Sequence, residues 1–302
     1  MAELKVADNE DHLAQIAAER LTQLIERAVG DRGIAFLSLT GGTTPRRLYS
    51  YLADAAHAWR NRIPWSSVHL FWGDERHVPP DAPESNYGMA KGTLLDHVPI
   101  PPDQVHRMRG ELPDARNAAA DYERELNDVA SRIASRSVVA SRSVASAFRR
   151  KNYYFDLMLL GLGEDGHIAS IFPGSPLLRS EDVGHPFEDV GDPFERVGHP
   201  FRGAESEGEL GEWPSIGRRV AGVWAPHLNA WRITLTPDAI LDSHTIVMLV
   251  AGKKKANAVF AALRAPLDIV EAPAQLLRAA DDRVEWFVDR TAATGLPPGA
   301  AR

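Results

Sequence analysis

A chain of 302 residues, 44% of them hydrophobic, suffices for one large domain or two small ones with a sizeable core. Its formal net charge of −7 argues against nucleic acid or an acidic membrane as the main partner, although a local basic pocket for a small anion is compatible with it. Cysteine is absent, which excludes a disulfide framework, thiolate nucleophiles and thiolate metal ligands.

The opening residues lack the apolar core of a secretory leader, and no later run approaches the ~18 apolar residues of a membrane span. A soluble, cytoplasmic protein is expected. Leu13, Ile16, Ala17, Leu21, Leu24, Ile25 and Ala28 recur at helical spacing, and Gly30 to Gly33 end that helix. Residues 34–39 read as a buried strand. Gly41, Gly42, Thr43, Thr44 and Pro45 follow it, which predicts Thr44 as N-cap, Pro45 as the first helical residue, and a helix through Leu48, Tyr49, Leu52 and Ala56. Glycines let the main chain approach a ligand, and the free N–H groups and dipole of a helix start favour an anion. A tight structural turn accounts for the same pattern, and the Gly-Lys-Ser/Thr ending of a P-loop is missing.

Residues 68–72 repeat the layout, a buried strand running into charge at Asp74, Glu75 and Arg76. The planar guanidinium of Arg76 suits phosphate or carboxylate, yet the cluster also reads as a surface patch of internal salt bridges. Asp74 and Glu75 are expected to hold Arg76 and the loops in place. A polar connection follows through Ser85, Asn86 and Tyr87, then a short helix over residues 89–95 and a short strand over 104–108. Helical spacing returns at Asp114 and runs through Tyr122, Leu126 and Val129. The segment ASRSV at 134–138 recurs at 140–144, and this repeat region, extending to residue 146, has no functional reading.

Residues 155–174, FDLMLLGLGEDGHIASIFPG, are the most informative stretch. An apolar strand ends in Gly161, Gly163 and Gly166, with Glu164, Asp165 and His167 inside the turn. A short helix is expected from His167 to Phe172, stopped by Pro173 and Gly174. An imidazole is suited to general-base work near neutral pH, and Asp165, two residues back on a bent chain, is a candidate to orient it or to stabilise an imidazolium, although spacing does not tell whether the two side chains meet. The plainer alternative is an Asp that caps a helix and a His that merely packs.

Three seven-residue units, beginning at Val183, Val190 and Val197, then carry a Gly and a Pro each and cannot form a regular helix. Duplication explains the spacing of His185, Asp192 and His199, so no metal site is assigned to them. Residues 180–212 read as a surface insertion. Strands are expected over 220–224 and 231–235, joined by a turn at 226–229, with a brief helix from Thr236. Residues 245–250 form another buried strand, followed by Gly252 and Lys253, Lys254 and Lys255. The lysines suit either the wet first turn of a helix or a phosphate grip. A helix over 272–279 and a strand over 284–288 precede a poorly tied terminus, 289–302. Buried strands that end in polar turns at 40–44, 73–76, 163–167 and 252–255, with helices between, predict an α/β fold whose largely parallel sheet is covered on both faces.

Three segments carry a resemblance: SLTGGTTP at 38–45, FWGDER at 71–76 continuing to SNY at 85–87, and GLGEDGHIAS at 161–170. Together they resemble the 6-phosphogluconolactonase family, within the group that includes glucosamine-6-phosphate deaminases. The resemblance implies an open three-layer α/β/α sandwich, not of the dinucleotide-binding type, in one catalytic domain over 1–302. It implies hydrolysis of 6-phospho-D-glucono-1,5-lactone to 6-phospho-D-gluconate without cofactor or metal. His167 would be the general base, with Asp165 and Arg76 in the active site. Gly41, Gly42, Thr43, Thr44, Arg76 and Lys255 would hold the sugar phosphate, Lys255 matching the family's Gly-x-x-Lys-Ala pattern while Lys253 and Lys254 face solvent. Backbone N–H groups near Gly163 to Gly166, or an arginine, are candidate oxyanion donors, and a contribution from Arg232 is left open. Deaminases continue the central motif as Phe-Asn-Glu-Pro-Gly, where this chain has Ile171, Phe172, Pro173 and Gly174, and read Asp-Glu-Tyr where it has Asp74, Glu75 and Arg76. Both departures favour the lactonase. A deaminase-like isomerase and a non-catalytic sugar-phosphate sensor are the alternatives. The expected partner is a small sugar-phosphate lactone, with no nucleic acid or membrane, on a monomer or weak homo-oligomer.

Overall fold

The centre of the fold is built from runs of apolar residues too hydrophobic to face water on either side, with a more polar strand, β1, at one edge. In chain order these are β1 (Glu3–Ala7), β2 (Ala35–Leu39), β3 (Val68–Trp72), β5 (Phe155–Leu160), β8 (Ser243–Val250) and β9 (Val284–Asp289). They form one sheet in the order β1-β9-β8-β5-β2-β3. Every pairing in it is parallel. All residues of β2 and of β9 are buried, which requires cover on both faces, as in a three-layer α/β/α sandwich. The computed structural model describes residues 2–140, 154–178 and 218–297.

Helix α1 (Glu10–Arg32) buries Leu13, Ala17, Leu21 and Ile25 at a four-residue spacing and packs on β1, β2, β5 and β9. Asn9 caps it by accepting from the His12 N–H at 2.9 Å, and Gly33 ends it at φ 78°. Helix α2 (Thr43–Ala53) packs against α1, followed by α3 (Ala58–Arg62) and α4 (Asn86–Thr93). Helix α5 (Ala115–Ala140) buries Ala118, Tyr122, Leu126 and Val129, the stripe expected from the sequence. Helices α6 (Pro237–Leu241) and α7 (Ala256–Arg264) flank β8.

A second, antiparallel sheet has the order β4-β7-β6, from β4 (Asp74–Arg76), β6 (Val220–Ala225) and β7 (Ala230–Leu235). Gly73 joins the two sheets: its N–H donates to the Leu39 carbonyl at 2.9 Å, and its own carbonyl accepts from Leu235 N–H at 2.8 Å. The chain therefore leaves β3 and enters β4 within a single residue.

Several local expectations change. Helix α2 begins at Thr43 with Gly42 (φ 107°) as its N-cap, so Thr44 is inside the helix. The helix stops at Ala53, because Asp54 accepts from Ala56 N–H at 2.8 Å and closes a turn. Residues 167–172 are not helical: Ile168 bridges Ile171, with Ala169 at φ 48°. That tight reversal buries both isoleucines completely. Residues 104–108 join the sheet through an isolated bridge, Leu70 to Val105, and a bond from His106 N–H to the Leu70 carbonyl at 2.8 Å, which is short of a strand. Residues 273–283 coil as tight 3-10 turns with a kink at Ala280. The chain after β9 is tied rather than loose, with Asp289 4% exposed and Ala292 fully buried. The helix α5 contains the first ASRSV unit, while the second unit, the seven-residue repeats and the insertion at 180–212 lie outside the described residues.

Candidate active site

In a parallel sheet all strands end on the same edge, so the order β8-β5-β2-β3 lines up the four polar turns as neighbours. The chain leaves β2 towards β3 on one side and leaves β5 towards β8 on the other. The crevice between the ends of β2 and β5 is thus a topological switch point, the usual ligand position in open α/β sheets. The two turns abut there: a Cβ on Gly161 would lie 4.0 Å from the Gly41 carbonyl oxygen.

His167 and Asp165 meet. His167 Nδ1 is 2.6 Å from Asp165 Oδ1, and the His167 N–H donates to the same oxygen at 3.2 Å. A carboxylate accepts, so Nδ1 carries the proton and Nε2 is left to act on a ligand. Burial pushes the Asp165 carboxyl up, but the hydrogen bond from His167 and the imidazole's charge outweigh it and hold the group at about 2. The turn is shaped by glycine: a Cβ on Gly163 would sit 2.1 Å from His167 Nδ1 and 2.3 Å from Asp165 Oδ1. Gly163 N–H donates to the His167 carbonyl at 2.8 Å, and Gly166 N–H to the Gly163 carbonyl at 3.2 Å. Those two amides are occupied inside the turn, so they are not the oxyanion donors that the sequence offered. The Phe172 ring packs on the imidazole, centroids 4.5 Å apart.

Arg76 on β4 faces Arg232 on β7 across the antiparallel pair. Burial pushes the Arg232 guanidinium down and the charge of Arg76 adds to that, which marks two like charges held close together. Among the described residues neither forms a salt bridge; each donates to a carbonyl, Arg76 to Glu84 and Arg232 to Trp231. Asp74 and Glu75 are 6% and 2% exposed and face inward. Glu75 accepts from the N–H groups of Arg76, Asn86 and Tyr87 at 2.8, 2.7 and 2.7 Å, and from the Ser85 hydroxyl at 3.1 Å. Burial pushes its carboxyl up, and these backbone donors offset part of that. Asp74 accepts from Ser170 Oγ at 2.7 Å, and Asn86 Nδ2 donates to the Asp74 carbonyl at 2.9 Å. The pair therefore fastens the loops to one another.

Gly41 is half-buried against Asn86, while Gly42 and Thr43 are exposed and Thr44 is half-buried. No side chain caps α2, so its first N–H groups face the crevice edge uncapped. The buried Tyr49 hydroxyl anchors the turn by accepting from Thr40 N–H at 3.0 Å and donating to the Thr40 carbonyl at 2.8 Å. Lys253 and Lys254 are exposed; Lys255 is half-buried. Burial pushes the Lys255 ammonium down, and the nearby charges of Glu164 and Asp165 offset part of that. Gly252 adopts φ 97° and donates to Asp289 Oδ1 at 3.1 Å. Tyr49, Asn86, Ser170, Thr234 and Asp289 were not assigned roles from the sequence. Their partners are distant in the chain, as for Ser170 N–H on Thr234 Oγ1 at 3.3 Å, and no spacing rule reveals such pairs.

The model of the family described as glucosamine-6-phosphate isomerases/6-phosphogluconolactonase matches residues 8–197 and 211–286. The chain belongs to this family. A protein of Mycobacterium tuberculosis named 6-phosphogluconolactonase is 35% identical over 294 residues, covering 97% of this chain and 98% of its own length. One of the same name from Synechocystis is 31% identical over 299 residues, covering 98% and 99%. Among solved structures, a 6-phosphogluconolactonase from Trypanosoma brucei has a TM-score of 0.68 at 24% identity, covering 98% of this chain and 99% of that one. A monomeric glucosamine-6-phosphate deaminase also reaches 0.68, at 19% identity, over 97% and 99%. The fold is thus common to both branches and does not separate them. No helix among the described residues is long and apolar enough to cross a membrane.

Proposed function

We propose that this protein hydrolyses 6-phospho-D-glucono-1,5-lactone to 6-phospho-D-gluconate. The observation that carries the reading is the 2.6 Å His167–Asp165 contact at the switch-point crevice, in a chain whose relatives named 6-phosphogluconolactonase are 31 and 35% identical to it. The sugar phosphate is held by Gly41, Gly42, Thr43, Thr44, Arg76 and Lys255, which leaves the lactone carbonyl towards His167. His167 Nε2 takes a proton from water as the water oxygen attacks C1. The carbonyl π electrons move to oxygen, and a guanidinium or ammonium of the site meets the resulting charge. Collapse of the tetrahedral adduct breaks the bond from C1 to the ring oxygen, which takes the proton back from His167. Asp165 keeps the ring in one tautomer and stabilises the imidazolium between the two transfers.

A deaminase-like reading lacks support at one position: Phe172 presents an apolar ring to His167 at 4.5 Å, where that branch carries a carboxylate. The test is hydrolysis of freshly made lactone, coupled to 6-phosphogluconate dehydrogenase and corrected for spontaneous opening, with chelator present. The proposal expects a chelator-insensitive rate that collapses in His167→Ala while phosphate binding survives. A wild-type rate equal to the spontaneous one would end it, and turnover of glucosamine 6-phosphate would replace it. Binding without turnover of either would leave a sensor.

A further inference from the structure

Among the described residues, the imidazole of His167 is held at one nitrogen, Nδ1. The bond to Asp165 still lets the imidazole rock about the line between Nδ1 and Oδ1, and rocking moves Nε2, the atom that must meet water. Phe172 is packed where it would oppose that motion. The residue is 9% exposed, and its ring lies 4.5 Å from the imidazole centroid at an interplanar angle of 50°. Phe172 also meets His227, an exposed residue, with centroids 4.6 Å apart at 71°, an edge-to-face contact. His227 belongs to the turn Pro226–Leu228 that joins β6 to β7, and Asn229 closes the turn at φ 47°. Its place is set by the backbone, because β7 is locked between β4 and β6. The same hairpin carries Arg232 opposite Arg76.

We infer that His227 is a positioning residue that clamps Phe172 against His167 and so fixes the reach of the general base. This rests on the lactonase reading above for its kinetic consequence but not for its geometric one. Nothing about the clamp needs the His227 ring nitrogens; the aromatic edge does the work, so a phenyl ring in the same place should serve.

The experiment compares wild type with His227→Ala and His227→Phe, by steady-state lactone hydrolysis and by long-range proton–nitrogen NMR of the imidazole of His167. Losing one aromatic contact is expected to lower kcat about three- to ten-fold in His227→Ala, with KM within about two-fold, and His227→Phe should restore kcat. The His167 imidazole signals should shift or broaden in His227→Ala and return in His227→Phe. A rise in KM at unchanged kcat would overturn the inference in favour of direct substrate contact. Unchanged kinetics, or unchanged His167 signals in His227→Ala, would overturn it as well. If wild type fails to hydrolyse the lactone, the functional proposal falls, while the NMR comparison still decides whether the clamp exists.

Discussion

A methyl group at position 163 is the sharpest test of the dyad. A Cβ on Gly163 would lie 2.1 Å from His167 Nδ1 and 2.3 Å from Asp165 Oδ1, whereas real Cβ contacts essentially never fall below 3.0 Å. Something must move by at least the difference, 3.0 − 2.1 = 0.9 Å. The two atoms to be displaced are the two ends of the 2.6 Å hydrogen bond. A hydrogen bond to a charged group is worth about 1.5–3 kcal/mol, but these side chains are 31% and 42% exposed, and solvent screening brings the stability cost nearer ~1 kcal/mol. For a chain of this size that shifts Tm by roughly 2–4 °C. The kinetic cost is larger, because a misplacement of ~1 Å at a reacting group can cost about 100-fold. Gly163→Ala should therefore melt within a few degrees of wild type and still bind inorganic phosphate, yet lose about 100-fold in kcat in the coupled lactone assay. Asp165→Asn should behave alike. If Gly163→Ala keeps kcat within about three-fold, the dyad geometry is not what the reaction uses.

The two guanidiniums are expected to act as an anion fork. Arg232→Met should leave or slightly raise the Tm of the free protein, since it removes a half-buried charge facing Arg76. It should abolish the protection given by inorganic phosphate, about 1.4 kcal/mol in wild type at ten times Kd, as read by thermal melts with and without phosphate. Gly41→Ala drives a Cβ to 1.8 Å from Asn86 Oδ1, so it should destabilise by about 2 kcal/mol or more, and the double variant with Asn86→Ala should be no worse than Asn86→Ala alone in denaturant melts. The buried His106 predicts an acid limit on stability. Burial pushes its imidazole down and the bond to Glu125 offsets only part of this. The unfolded chain therefore binds the proton first, so stability is full above the unfolded value of about 6.5 and falls as pH drops towards the lower folded value. In His106→Gln the drop in Tm between about pH 7 and 5 should be smaller than in wild type; an equal drop would show that the buried ring is not responsible.

What could be read in advance follows from range. Buried strands announce themselves by composition, and glycines and charge at their ends announce turns, so the central sheet and the neighbouring polar turns were legible. The strand β1 was not: as an edge strand it exposes Glu3, and only Leu4 and Ala7 are buried. The helix expected at His167 failed because Ile168 and Ile171 are both core residues and the chain satisfies them by reversing at Ala169. Helical spacing and a tight bridge place residues three apart on the same side, so pattern cannot separate them.

The cluster Asp74, Glu75 and Arg76 shows most clearly where sequence reasoning stops and why that matters for function. Adjacent opposite charges suggest mutual neutralisation, which would leave Arg76 useless as an anion ligand. In the fold the charges part. Neighbours along β4 alternate between faces, yet both carboxylates are buried, and backbone N–H groups of Arg76, Asn86 and Tyr87 and the hydroxyls of Ser85 and Ser170 occupy their oxygens. Arg76 is the cross-strand neighbour of Arg232, and among the described residues its guanidinium has a carbonyl, not a carboxylate, as hydrogen-bond partner. The charges of Asp74 and Glu75 offset part of the repulsion on Arg232, but their oxygens are taken up by dipoles, so among the described residues neither guanidinium is in a salt bridge. A buried ion pair there would have been satisfied and inert, whereas a pair of like charges held by the backbone is stabilised when an anion arrives. The residues that make this possible are Ser85, Asn86 and Ser170, none of which bears a charge.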